Sequence, residues 1–301
     1  MGSPQMDASK HVASGQPVYR EPARVVAVSP LPGGHCRLRL CAPSIAAAVK
    51  PGQFVNVSPP LDSALLRRPF GVYRTFEQTD IELLFKLVGR GTLALAKVRV
   101  GDEIDIIGPL GNGFDLSGEL PDTAVLVAGG FGIAPLHPLA LALRDNVARM
   151  FLFVGTEEDL PLEISDSSMR LSFVDPEVTV ALADFEALGA ASRVATLRER
   201  PGFFRGLVTD LLEQFLHGSE AAASAKIYAC GPWAMLKRTA AAAAEHGLPC
   251  DVLLEERMGC GIGACMSCAV RLKGEGGEAA YVRACVEGPV FDAAVIDWDA
   301  K

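Results

Sequence analysis

The chain is short of positive charge. Its 301 residues carry 28 Lys and Arg against 36 Asp and Glu, a formal net charge of −8, with no basic block. That excludes nucleic acid as a partner. A targeting segment is also missing: residues 1–18 are polar, rich in Ser, Gly, Gln and Pro, and read as a disordered tail without an apolar h-region. Met6 stands where a myristoylation pattern requires Ser or Thr. No internal repeat is visible. No membrane span is expected, although Ala124–Leu143 runs twenty residues without a formal charge. Glycines at 129, 130 and 132, two prolines and His137 break that run into strand, glycine turn and helix.

Half of the residues are hydrophobic, enough for a sizeable core, and the length suggests two domains. From Ala23 to Gly108 the signals are those of strands. His35-Cys-Arg-Leu-Arg-Leu40 alternates apolar and basic residues. Gln53–Val57, Arg68–Tyr73, Ile81–Val88 and Glu103–Gly108 follow, with turn residues between them. About six short strands predict a small antiparallel barrel. From Asp122 to about Leu254 apolar strands (Ala124–Ala128, Phe151–Val154, Lys226–Cys230) alternate with helical stretches. Trp233–His246 is an alanine-rich helix stopped by Gly247, and a last strand at Asp251–Leu254 follows. This alternation predicts a parallel sheet with helices on both faces.

Eight cysteines do not form a secreted disulfide framework, because half of them fall in one pattern. Cys260, Cys265, Cys268 and Cys285 are spaced C-x4-C-x2-C-x16-C, the plant-type order for a [2Fe–2S] cluster held by four thiolates. Gly259, Gly261 and Gly263 let such a loop turn and bring N–H groups to the sulfurs. A structural Zn(Cys)4 site is the alternative, although zinc knuckles use two C-x2-C pairs and this loop has one. Free thiols beside an iron–sulfur site fit a reducing cytosol.

Four further stretches carry chemistry. Arg67-Arg68-Pro69-Phe70-Gly71 offers an arginine fork for a pyrophosphate and an apolar strand for a flat ring. Gly89-Arg-Gly91-Thr92 opens a short helix whose N–H groups suit an anion. Gly129-Gly130-Phe131-Gly132 joins a strand to a helix, the context of a dinucleotide site, without being the G-x-G-x-x-G fingerprint. Cys230-Gly231-Pro232 lies at a second strand-to-helix junction. Read singly, each is also consistent with an ordinary strand, capped turn or buried small residue.

Taken together with Gly108-Pro-Leu-Gly-Asn-Gly-Phe114, Glu255-Glu-Arg-Met-Gly-Cys260 and Cys285-Val-Glu-Gly-Pro-Val-Phe291, these motifs resemble the electron-transfer subunits of B-type dihydroorotate dehydrogenases, within the ferredoxin reductase superfamily. The resemblance covers roughly residues 18–301. It implies an FAD-binding β-barrel over 19–118, an NAD-binding α/β domain over 119–250 and a small [2Fe–2S] subdomain over 251–301. Arg68, Pro69, Phe70 and Gly71 would line the flavin, Leu84, Phe85 and Lys86 would run along it, and Gly91 and Thr92 would hold its phosphates. Gly130, Gly132, Cys230, Gly231 and Pro232 would border the nicotinamide nucleotide. Gly71 departs from the family's usual serine beside the flavin, and Phe131 from a common third glycine.

The implied function is electron transfer between NAD(H), FAD, the cluster and an FMN-containing catalytic subunit, in a heterotetramer of two of each, in the cytoplasm, during orotate formation. No acid–base catalytic residue is needed here, because a flavin exchanges hydrides on one side and single electrons on the other. Met258, Ile262 and Met266, beside the cysteine loop, would meet the partner. A subunit serving a hydrogenase or a ferredoxin:NADP transhydrogenase would look alike locally, and a non-catalytic zinc module is the remaining alternative. After Phe151–Val154, Glu157, Glu158 and Asp159 predict repulsion of a 2′-phosphate and a preference for NAD(H).

The spacing makes a direct prediction. Cys→Ala at 260, 265, 268 or 285 removes the iron–sulfur absorbance, whereas the same change at Cys36, Cys41, Cys230 or Cys250 leaves it. Anaerobic visible spectra with iron and sulfide counts check this; zinc without iron would overturn it.

Overall fold

The computed structural model of the chain describes residues 16–60, 66–274 and 279–300. The tail expected over 1–18 lies outside the described residues except for 16–18. Six strands follow: β1 (Tyr19–Leu31), β2 (His35–Cys41), β3 (Phe54–Val57), β4 (Arg68–Phe76), β5 (Asp80–Lys86) and β6 (Glu103–Leu110). They close into a barrel in the order β1-β2-β5-β4-β3-β6, all antiparallel. The predicted alternation in β2 holds: Cys36, Leu38 and Leu40 point inward to meet Val55, Val57, Ile81, Leu83 and Ile106. Arg37 and Arg39 point outward, with Arg39 paired to Asp80 at 2.8 Å.

Strand β1 serves two neighbours. Residues 19–24 pair with β6 and residues 24–31 with β2, and a bulge between Val25 and Ala27 bends the strand from one to the other. Pro22 and Pro30 interrupt its sequence and hide it from a pattern reading, yet both sit in a strand that turns a barrel corner. Two short helices, α1 (Pro43–Ala48) and α2 (Arg90–Leu95), complete this part.

The second body is a seven-stranded sheet. Its strands are β7 (Thr123–Gly129), β8 (Arg149–Gly155), β11 (Ala190–Thr196), β12 (Phe204–Arg205), β13 (Ala225–Cys230), β14 (Cys250–Leu253) and β17 (Val290–Asp292). The order is β12-β11-β8-β7-β13-β14-β17. All neighbours are parallel except β14 and β17. Strands β9 (Ile164–Asp166) and β10 (Val180–Leu182) form a separate pair, as do β15 (Ala269–Leu272) and β16 (Ala280–Arg283). From β7 the chain steps outward through β8, β11 and β12, then returns to the other side of β7 as β13. That reversal opens a crevice at the carboxyl ends of β7 and β13.

Helix α3 (Ile133–Leu143) covers one sheet face; α4 (Ala183–Glu186) follows β10, and α5 (Val208–Gly218) and α6 (Trp233–Glu245) cover the other face. The uncharged run of the sequence is therefore β7, a glycine turn and α3. At 1.5 Å per residue α3 is about 16 Å long, and among the described residues no helix is long and apolar enough to cross a membrane.

Because α3 also packs against β4, it wedges the barrel to the sheet. Tyr73 of β4 is fully buried, 4.8 Å from the His137 ring, which in turn meets Phe185 at 5.4 Å. Arg74 pairs with Asp184 at 2.7 Å across the same seam. Burial, together with the nearby Arg74 guanidinium, depresses the His137 imidazole to about 4.

A stability change follows with a definite sign. The unfolded chain protonates this histidine near 6.5 and the folded chain only near 4. Its contribution is therefore complete above pH 6.5 and is lost as pH falls toward 4, by roughly 3 kcal/mol in full. Urea unfolding at pH 7 and pH 4.5 should show a steeper loss for the wild type than for His137→Leu; parallel losses would mean that the ring is not held neutral.

Candidate functional site

Two cavities and one cysteine loop adjoin along the seam. The first cavity, of about 350 Å³, opens at the barrel mouth. Pro69, Phe70 and Gly71 of β4 and Leu84, Phe85 and Lys86 of β5 form one wall. Ala134 and Pro135 of α3 and the segment Leu253–Met258 form the other. The Phe70 and Phe85 rings lie 5.1 Å apart on the first wall and make it largely apolar. Gly71 leaves room on its side: a Cβ there would meet Pro135 at 3.6 Å, an ordinary contact.

At the edge of this cavity, Arg68 lies over the start of α2. Gly91 makes its place, since a Cβ there would come within 2.9 Å of the Arg68 Nε. Arg68 and the first-turn N–H groups, which lack intrahelical acceptors, together suit an anion. The expected arginine fork does not form. Arg67 turns away to pair with Asp105 and donates to the Asp105 carbonyl at 2.8 Å. Asp105 is held below the usual carboxylate range by Arg20 first and then Arg67. Thr92 closes the preceding turn: its hydroxyl accepts from the Val88 and Gly89 N–H groups at 3.0 and 3.2 Å.

The second cavity, of about 630 Å³, fills the crevice between β7 and β13. Gly130, Gly231 and Pro232 line it, with Thr156–Glu158, Val208, Thr209 and Met235. Gly132 and Cys230, placed by sequence at its border, lie one layer beneath. A Cβ on Gly132 would stand 2.0 Å from the Cys230 carbonyl oxygen, so only glycine lets the two strand ends meet. Cys230 is fully buried, and burial pushes its thiol well up. Phe131, Lys86 and Glu255 line both cavities, which therefore adjoin. Glu255 opens onto both cavities but is walled by protein, which raises its carboxyl. The sequence reading missed Glu255; the available signal was an acid directly after a buried strand at the open end of the sheet.

The acids after β8 are not unopposed. Glu157 accepts from the Leu197 N–H at 2.8 Å and faces Arg198 at 3.8 Å. Asp159 faces Arg200 at 3.9 Å, and Glu158 pairs with Lys86 at the cavity. These cations come from β5 and from the loop after β11, not from the stretch that carries the three acids. Of the three, Glu157 is the one fixed by a backbone donor.

The cysteine loop follows the first cavity within two residues of Met258. Asn56 of β3, buried in the barrel, donates to the Cys260 carbonyl at 2.8 Å and ties the loop to the barrel. The hairpin β15–β16 explains the long spacing. Its register sets Ala269 opposite Arg283, and the Ala284 N–H donates to the Cys268 carbonyl at 2.9 Å, which brings Cys268 beside Cys285. At the other end the Cys260 N–H reaches the Cys265 sulfur at 3.4 Å, and the Ala264 N–H reaches the Cys260 sulfur at 3.2 Å. Hydrogen bonds from Ser267 and from backbone N–H groups lower the Cys265 thiol to about 6. Burial and the neighbouring Cys268 push Cys285 up to about 12.

The thiols thus stand as two pairs, Cys260 with Cys265 and Cys268 with Cys285. Among the described residues no three cysteine sulfurs lie within 4.8 Å of one another. One tetrahedral zinc would hold all four about 3.8 Å apart, from its 2.3 Å Zn–S bonds. Two pairs suit a centre of two irons. Ile262 and Met266 are exposed on this loop at 54% and 49%, whereas Met258 turns into the first cavity.

A family model described as the iron–sulfur cluster binding domain of dihydroorotate dehydrogenase B matches residues 255–297. The dihydroorotate dehydrogenase B (NAD(+)), electron transfer subunit of Desulforamulus reducens is 35% identical over 280 residues, covering 92% of this chain and 98% of that protein. The chain belongs to this family. The Enterococcus faecalis electron transfer subunit is 34% identical over 286 residues, with the same coverage of both chains. A solved NADH-dependent reduced ferredoxin-NADP oxidoreductase superposes with a TM-score of 0.72 at 26% identity, covering 92% of this chain and 90% of the other. Members of the family are flavin and iron–sulfur oxidoreductase subunits, and the fold described above is theirs.

Two glycine substitutions separate packing from lining. Gly132→Ala should cost roughly 1–3 kcal/mol of stability, because the strand ends must part. Gly71→Ser should fold normally and alter the flavin midpoint by the equivalent of one neutral hydrogen bond, roughly 0.5–1.5 kcal/mol. Thermal unfolding and a redox titration check the pair; an unchanged potential would mean that position 71 does not meet the flavin.

Proposed function

We infer that the chain transfers electrons between NAD(H) and the oxidation of dihydroorotate to orotate, as the electron transfer subunit of a dihydroorotate dehydrogenase in pyrimidine biosynthesis. The observation that carries this is continuity. The nucleotide cavity and the barrel-mouth cavity share Phe131, Lys86 and Glu255, and the cysteine loop follows from Met258 of the second, held to the barrel by Asn56. FAD, when bound, supplies the exchange of a hydride on one side for single electrons on the other.

The chain's own residues bind, orient and insulate. We assign the FAD phosphates to Arg68, Gly91 and Thr92, and its ring to Pro69, Phe70, Gly71, Leu84, Phe85 and Lys86. Gly130, Gly231 and Pro232 receive the nicotinamide nucleotide, while Gly132 and Cys230 hold those turns in place from beneath. Cys260 and Cys265 take one iron, Cys268 and Cys285 the other. On this reading, residues 19–118 serve FAD, 119–250 NAD(H) and 251–301 the cluster. The edge strand β17 explains how the last part stays rigid against the sheet. Ile262 and Met266 face a catalytic dehydrogenase subunit, which we propose carries FMN and joins this chain two-to-two in the cytoplasm.

The likeness to a ferredoxin-NADP oxidoreductase favours a second reading, in which the same relay serves another electron-transfer partner. The purified, cofactor-loaded chain separates them. It should reduce artificial acceptors with NADH, give no orotate from dihydroorotate alone, and form orotate once the catalytic subunit is added. Failure to couple to that subunit would favour the second reading. In the same assay kcat/KM should be at least about tenfold higher with NADH than with NADPH; equal values would dismiss the repulsion expected of Glu157, Glu158 and Asp159.

A further inference from the structure

Away from the redox line, α5 and α6 run side by side in the same direction. Both begin at the nucleotide cavity, where Val208, Thr209 and Met235 contribute lining. The first turn of α5 is tied to the second turn of α6 by Asp210 and Arg238 at 2.9 Å. Toward their C-terminal ends lie Glu213, at the middle of α5, His217 in its last turn, and His246 at the C-cap of α6. The His217 Nε2 stands 3.7 Å and the His246 Nε2 4.0 Å from the same Glu213 carboxylate oxygen. One ligand atom from each residue lies within 4.8 Å of the other two. The two rings are 4.9 Å apart and turned by 67°, so they do not stack and their nitrogens can converge on one point.

We propose that Glu213, His217 and His246 bind one divalent cation of the zinc class. Two imidazoles and a carboxylate are the ligand set for borderline late first-row metals, rather than for calcium or magnesium, which take oxygen. On a tetrahedral zinc the ligand atoms stand roughly 3.3–3.5 Å apart, given bonds of about 2.0–2.1 Å. Closing the present triangle takes about an ångström of side-chain movement, and His217, 72% exposed, is free to make it. The position also favours a cation electrostatically. Two parallel helices end here, and each presents partial negative charge and carbonyls without intrahelical donors. A bound cation would offset that repulsion and staple the C-terminal ends, as Asp210 and Arg238 tie the helices nearer their starts. The exposed side leaves the remaining coordination positions to water. By helical rise Glu213 and His217 stand about 6 and 12 Å along α5 from Thr209, and His246 about 12 Å along α6 from Arg238; none of the three lines the nucleotide cavity.

The test uses the full chain loaded with FAD and its iron–sulfur cluster, titrated calorimetrically with zinc chloride while the iron–sulfur absorbance is followed. One saturable site and a raised Tm are expected, with a zinc absorption-edge spectrum showing nitrogen and oxygen neighbours and no sulfur. His246→Ala and Glu213→Gln should each weaken the site at least about tenfold, while flavin and cluster absorbance report that the variants are folded. His35→Ala should bind zinc like the wild type. Sulfur in the zinc shell, equal uptake by His246→Ala, or no saturable uptake by the wild type would overturn the proposal.

Discussion

The carboxyl ends of β7 and β13 meet with no room for a side chain between them. Gly132 rests against the Cys230 carbonyl, and Gly231 against the Gly129 backbone. Gly132 is also the N-cap of α3, the helix that packs against β4, so the same turn that meets β13 begins the helix between sheet and barrel. The barrel-mouth cavity has β4 and β5 on one side and α3 on the other. Widening the glycine crossing would therefore move a wall of each cavity.

A second layer of order comes from charges that bridge the parts. Arg74 reaches Asp184, and Lys86 reaches Glu158, each from a barrel strand to the far body. These pairs are partly exposed, and each contributes little by itself. Their value is in alignment: the apolar wedge of α3 holds the bodies together, and the ion pairs select one orientation among those the wedge permits. Lys86 is the sharpest case, since it and its partner Glu158 both line the nucleotide cavity and an anionic guest there must compete for it.

How much of this was legible depended on the range of the interactions. The four cysteines could be read because their spacing is local, and the hairpin β15–β16 that completes it lies within the same stretch. Strand alternation in β2 and the strand–turn–helix at β7 were equally local. Strand β1 was hidden by Pro22 and Pro30, which barrel curvature accommodates. Strand β11 was hidden by its small and polar residues, with Arg193 buried and donating to the Met169 carbonyl. The fate of Arg67 could not be read at all, because its partner Asp105 is 38 residues away. The same holds for the acids after β8, whose facing cations come from other elements. Sequence supplied the residues of the site; only the fold decided which ones line it and which lie beneath.

The bond from Asn56 to the Cys260 carbonyl joins residues 204 positions apart. A growing polypeptide emerges barrel first, and domains fold in that order during synthesis. When the cysteine segment appears, the closed barrel already presents the amide that positions it, and β14 already offers the edge on which β17 settles. The cysteine segment thus meets a scaffold that was made before it and that holds one of its carbonyls in place. A nascent chain interrupted before this segment could still form the barrel that would hold the flavin, yet would have no outlet for its electrons.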